Sequence, residues 1–156
     1  MSIKIAIEKH AYAFPSKVLA GNGGEHILNI ELTEATDNGV VMEVGAYKSF
    51  DNYMAGGDPV AYEGKIVDKA ADGNFYVEVV EPADAVLIYE VPVIAEQNYD
   101  SRFKAIKNFY NEAGKTVRGY VLHKHDIYEL SEEAFEGTPV VGKKVTITAK
   151  KHVVEA

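Results

Sequence analysis

Apolar and polar positions alternate through most of this chain with the two-residue period of half-buried strands. Leu28-Asn-Ile-Glu-Leu32 and Val40-Val-Met-Glu-Val44 flank Asp37-Asn38-Gly39, an Asn-Gly pair that tolerates positive φ, so a hairpin is predicted there. Tyr62-Glu-Gly-Lys-Ile-Val67 and Phe75-Tyr-Val-Glu-Val-Val80 flank Asp72-Gly73-Asn74 and predict a second. A third is predicted across Asn111-Glu-Ala-Gly-Lys115, between Asn108-Phe-Tyr110 and Thr116-Val-Arg-Gly-Tyr-Val-Leu122. Ala85-Val-Leu-Ile-Tyr-Glu-Val-Pro-Val-Ile94 is nearly continuous in apolar residues, as expected of a strand covered on both faces, and Pro92 moves its far end to an edge or bulge.

Helical signals are short. Phe103, Ile106 and Tyr110 suit one or two turns beginning at Ser101. Ser131-Glu-Glu-Ala-Phe starts with a capping residue and two acids, and Gly137 and Pro139 stop it after one turn. The expected fold is therefore mainly β: a barrel or sandwich of about 8–10 strands with one or two short helical turns. Residues 25–156 form a single β-rich domain in this reading. Residues 1–24 are either an N-terminal strand or an extended arm. In them Ile3, Ile5 and Ile7 alternate, Tyr12 and Phe14 share a side, and Gly21-Asn-Gly-Gly24 is a hinge. Between residues 45 and 61, glycines, Pro59 and the aromatics Tyr47, Phe50 and Tyr53 predict a long loop suited to protein contacts.

Composition narrows the function classes. The 156 residues contain no cysteine, which removes disulfides and thiolate metal sites. No apolar run is long enough to span a bilayer, and the opening residues lack a signal-peptide pattern. The net charge of -8 is concentrated in residues 25–100, which carry three lysines and sixteen acids, so nucleic acid is not an expected partner. The serines lie outside any Gly-x-Ser-x-Gly turn. Gly137-Thr-Pro-Val-Val-Gly-Lys-Lys144 lacks the Ser or Thr and the following helix of a phosphate loop. No catalytic residue and no cofactor is expected.

Two motifs in the C-terminal half carry resemblances. In Gly119-Tyr-Val-Leu-His-Lys-His-Asp-Ile-Tyr-Glu129, a strand would put His123 and His125 on one face, with Glu129 four residues on. The string resembles the first metal motif of the cupin family, which implies a metal on His123, His125 and Glu129. It departs from that motif in its glycine spacings, and only nineteen residues follow Gly137, among which His152 is the one further histidine.

The second resemblance spans Asn108-Phe-Tyr-Asn-Glu-Ala-Gly-Lys115, Tyr120 to Ser131, and Ala134-Phe-Glu-Gly-Thr-Pro-Val-Val-Gly-Lys143. These segments resemble small structural proteins encoded beside capsid genes in tailed phages. That resemblance implies a capsid decoration or other head-associated protein, non-catalytic and assembled into the virion in the host cytoplasm. Its partners would be the major capsid protein or other virion subunits, and it would itself be a homo-oligomer. The contact residues would be Ile3, Ile5, Ile7, Tyr12 and Phe14 in the arm, and Tyr47, Phe50 and Tyr53 in the aromatic loop. The metal barrel, and a β-barrel module binding a small ligand or glycan, are the alternatives.

Overall fold

The structure is a computed structural model that describes residues 11–17, 27–49, 52–90 and 110–155. It is mainly β. Among the described residues there are twelve strands and a single 3-10 turn. They build a closed five-stranded barrel and a seven-stranded sheet, so the expected barrel and the expected layered packing occur together.

The barrel closes in the order β2 (Ile27–Glu31), β4 (Asn52–Ala55), β3 (Val41–Ser49), β7 (Ala85–Ile88) and β8 (Thr116–Val121), which returns to β2. Every neighbour is antiparallel except β2 and β4. The sheet runs β1 (Ala13–Lys17), β9 (Ile127–Leu130), β6 (Phe75–Glu81), β5 (Glu63–Lys69), β11 (Lys144–Thr148), β12 (Lys151–Val154) and β10 (Phe135–Glu136).

Two apolar cores follow from the alternation. Ile30, Leu32, Val40, Met42, Val86, Ile88 and Val117 fill the barrel. Val41, Ala85, Leu87, Tyr120 and Leu122 point out of it and pack on Ile66, Phe75, Val77, Val79, Tyr128, Leu130, Val145 and Ile147 of the sheet. The apolar strand β7 is buried at all four positions because each face meets a different core. Its expected continuation through Pro92 lies outside the described residues.

The chain changes layers along paired elements. β6 pairs with β9 in the sheet, and β7 pairs with β8 in the barrel. The turn after β6 and the turn before β9 are therefore two sides of one corner, stitched by Leu122 N–H to the Ala85 carbonyl (3.0 Å) and His125 N–H to the Val79 carbonyl (2.9 Å). Ala83, Asp84 and His125 take positive φ there.

Several local expectations are corrected. Leu28–Leu32 and Val40–Val44 do not form a hairpin, because β4 lies between β2 and β3. The Asn38–Gly39 turn is used instead to cross the barrel end: Asn38 Nδ2 donates to the Glu90 carbonyl (2.9 Å), and Gly39, at φ 95°, donates its N–H to the Ile88 carbonyl (2.8 Å). The second hairpin forms as expected, β5 pairing with β6. The turn at residues 111–115 forms around Gly114 but leads from a bridge with Thr36 into β8, whose neighbours are β2 and β7. The helical turn after Ser131 is 3-10, and Ser131 does not cap it: its Oγ accepts the Tyr12 N–H (2.9 Å) and so holds the entry to β1. The helix expected from Ser101 lies outside the described residues, as do residues 1–10, the 21–24 hinge and Phe50.

Residues 45–61 are not a long loop. Most belong to β3 and β4, an antiparallel pair with two register shifts. The pairing needs bare glycines: a Cβ on Gly56 would lie 2.1 Å from the Glu43 carbonyl oxygen, and one on Gly45 would lie 2.7 Å from that of Met54. Gly57 has open space. Gly56→Ala is accordingly expected to destabilise the protein by about 1–3 kcal/mol, while Gly57→Ala stays within about 0.5 kcal/mol of the parent. Thermal denaturation of the matched pair measures the difference.

Candidate functional site

Three polar constellations stand out. The first lies at the layer-changing corner, where the motif Gly119–Glu129 is distributed over β8, a turn and β9. His123, Lys124 and His125 are in the turn, so the two imidazoles do not share a strand face. Asp126 organises the turn: its carboxylate accepts the His123 backbone N–H (2.8 Å) and lies 3.6 Å from His123 Nδ1. The His125 side chain is 74% exposed, with Nδ1 3.9 Å from Glu78. Glu129 lies on β9 and is buried, accepting from Asn74 Nδ2 (2.9 Å). Asn74 in turn accepts from the Tyr12 hydroxyl (3.0 Å). Thus His123, His125 and Glu129, proposed ligands of one ion, have separate partners, and no group of three metal-ligating side chains occurs among the described residues. The cause is the positive φ at His125, which turns the chain where the cupin reading needed an extended strand.

The second constellation is buried. His152 on β12 is fully inaccessible. Its Nε2 is 2.8 Å from the Tyr128 hydroxyl, and that hydroxyl shares a short hydrogen bond with Tyr62. The rings of Tyr62, Tyr128 and Phe135 surround the imidazole at centroid distances of 6.3, 5.8 and 5.9 Å. His152 Nδ1 has no hydrogen-bond partner among the described residues. Burial holds the imidazole neutral and pushes its pKa down to about 3. Burial also raises both phenols: the Tyr62–Tyr128 hydrogen bond partly offsets this for Tyr62 and adds to it for Tyr128. The three side chains are a neutral polar thread through an apolar seam.

Asn111 anchors the third, at the barrel end. Its Nδ2 donates to the Thr36 carbonyl (3.0 Å) and to Asn38 Oδ1 (3.0 Å), while Thr36 and Asn111 exchange backbone hydrogen bonds. Asn38 Oδ1 also accepts the Glu90 N–H (3.0 Å). These contacts fix the segment between β2 and β3 to the start of β8.

The expected contact residues fall in two places. Tyr12 and Phe14 flank the entry to β1, with rings 5.9 Å apart and edge to face, both half-buried; β1 pairs with β9 of its own chain. Tyr47 and Tyr53 are cross-strand partners on the β3–β4 hairpin, with rings 5.3 Å apart. Tyr47 is 60% exposed, whereas Tyr53 is half-buried against the barrel core. Lys48 beside them pairs with Glu31 of β2 at 2.5 Å. Ile3, Ile5, Ile7 and Phe50 lie outside the described residues.

Sequence reading missed the Tyr62–Tyr128–His152 thread and the Asn38–Asn111 anchor. One signal was available for the first: Lys151 and His152 sit at outward and inward positions of β12, opposite Thr148 and the buried Ile147 of β11. No protein-family model, curated protein or solved structure matches the chain.

The thread makes a quantitative claim. Tyr128→Phe strands two buried polar groups, the Tyr62 hydroxyl and His152 Nε2, and is expected to cost about 2–4 kcal/mol. Tyr62→Phe leaves the Tyr128–His152 bond intact and is expected to cost about 1 kcal/mol. Urea denaturation of the two variants gives the order.

Proposed function

We propose that this chain is a non-catalytic virion structural protein that decorates or stabilises a capsid through protein–protein contacts. Its partner is the major capsid protein or another virion subunit, and it acts as a homo-oligomer. The observation that carries this reading is the β3–β4 hairpin, which presents Tyr47 to solvent on a ring partner, Tyr53, rooted in the barrel. A rigid, amphipathic ring held by a strand is the kind of anchor that protein interfaces use, because little conformational freedom is lost on binding.

Two further features support it. The segments resembling phage head proteins, Tyr120 to Ser131 and Ala134 to Lys143, cover the corner, β9, β10 and the turn into β11. The acidic stretch, residues 25–100, places Asp68, Asp72, Glu78 and Glu81 on or beside the strands β5 and β6, where they outnumber the exposed Lys65 and Lys69, a balance that disfavours nucleic acid phosphates.

Co-sedimentation with shells assembled from the major capsid protein of the same genome tests the reading. The parent chain is expected to pellet with the shells, and Tyr47→Ala to lose about tenfold or more in affinity with unchanged thermal stability. A parent chain that stays in the supernatant overturns the assignment. Light scattering of the full chain, and of the chain lacking residues 1–10, tests the homo-oligomer. The deletion stops there because Ala11 and Ala13 are buried in the seam.

A further inference from the structure

The margin of the seven-stranded sheet is built in an unusual way. Its last two members, β12 and the two-residue β10, are joined in parallel through Phe135 and His152, and among the described strands β12 meets the rest of the sheet only through β11. The residue at the centre of this margin is the fully buried His152. Across β11 its neighbour is Ile147, and across β10 it is Phe135. From β9 and the entry to β5 it is faced by the hydroxyls of Tyr128 and Tyr62. These two phenols are the titratable groups that its ring contacts, and burial keeps both protonated. The charged residues next in sequence are engaged elsewhere or exposed: Glu129, beside Tyr128, accepts from Asn74 Nδ2 (2.9 Å), Glu63 pairs with Lys144 at 3.1 Å, Lys151 Nζ donates to the Glu133 carbonyl (2.9 Å), and Glu136 is exposed.

A neutral imidazole suits this setting better than a charged one, since one ring nitrogen meets Tyr128 and a single unpaired nitrogen among apolar neighbours costs less than a buried charge. A protonated imidazole carries two N–H donors and a charge. Among the described residues no acceptor faces Nδ1, and no carboxylate hydrogen-bonds the ring. A charge in such a place is relieved by giving the proton up to solvent or by movement of the strand that carries the ring into water.

We propose that His152 makes the β10–β12 margin an acid-operated latch, closed while the imidazole is neutral and opened when it takes up a proton, with the five-stranded barrel remaining folded. The opening is local to the margin because the barrel interior, from Ile30 to Val117, shares no residue with the thread, and the seam residues Val41, Ala85, Leu87 and Tyr120 that Tyr62 and Tyr128 cluster with stay anchored on barrel strands. Opening uncovers the apolar faces of Val145, Ile147 and Phe135, which the margin buries. The latch rests on the packing and not on the identity of any partner.

The sign follows from linkage. The folded pKa of about 3 lies below the ordinary value of 6.5, so the closed state is fully favoured above pH 6.5 and loses ground as pH falls from there towards 3. At pH 4.5 the open population is expected to rise by about a hundredfold relative to pH 7.4.

Amide hydrogen exchange of the full chain at the two pH values, corrected for intrinsic rates, reads this directly. Protection of residues 145–154 is expected to fall at pH 4.5 by up to that factor, while residues 86–88 and 117–121 keep theirs. His152→Gln, which can still bond Tyr128 but does not titrate, and the ring isostere His152→Phe are expected to abolish the pH effect. Unchanged protection of 145–154 in the parent, an equal loss in both layers, or a loss that survives in the variants overturns the latch. If neither variant folds, the carbon-13 shifts of the parent's His152 ring decide: a midpoint below 5 that coincides with the loss of protection supports it, and a midpoint near 6.5 without that loss overturns it.

Discussion

Ala85–Ile88 is a strand of four residues with no polar side chain and no face that reaches water. Val86 and Ile88 close the barrel, while Ala85 and Leu87 form the floor on which the seven-stranded sheet rests. This double burial sets the geometry of everything around it. A strand covered on both sides requires a second layer, and the layer is supplied by the same chain, which leaves the sheet after β6 and returns to it at β9. Both crossings must happen at the same level because β6 with β9 and β7 with β8 are paired. The corner is therefore a backbone structure first, and its side chains serve it: Asp126 holds the His123 amide, and His125 takes the positive φ that the turn demands. Histidines placed for this purpose are poorly placed to share an ion.

The buried polar groups also have a common logic. A seam between two β layers cannot exclude every hydroxyl and ring nitrogen, and each one enclosed must find a partner or carry a cost. Asn38 and Asn111 answer by binding backbone and each other, with Asn111 Oδ1 left over among the described residues, and so lock the segment between β2 and β3 across the barrel mouth. Tyr62, Tyr128 and His152 answer by binding one another, which leaves one imidazole nitrogen over. The first arrangement contains no titrating group. The second does, and so couples the integrity of one sheet margin to proton activity.

Much of this architecture is already present in the sequence. Alternation alone places Phe75, Val77 and Val79 inward on one strand, and the unbroken apolar run at residues 85–88 announces a strand with two covered faces. Gly73 marks its hairpin because an Asp-Gly-Asn turn needs a positive φ that glycine takes without strain. The absence of cysteine excludes thiolate chemistry from the start. These are properties of short windows, and local sterics and burial are enough to determine them.

Tertiary structure decided which strands became neighbours. Asn38–Gly39 has the chemistry of a tight hairpin, yet β4 is inserted between the strands on either side, since closing a barrel needs a fifth strand and the buried Asn38–Asn111 contacts favour a crossing over a turn. The aromatic stretch after Gly45 became a paired hairpin because Gly45 and Gly56 let two backbones approach, a fit visible only once both are in place. Ser131 reads as a helix cap and instead holds a strand 119 residues away in sequence. The thread of Tyr62, Tyr128 and His152 joins positions separated by 66 and 24 residues, which no single window of sequence brings together. Periodicity states which way a side chain points; only the packed layers determine what it meets there, and hydrogen bonding and protonation depend on that meeting.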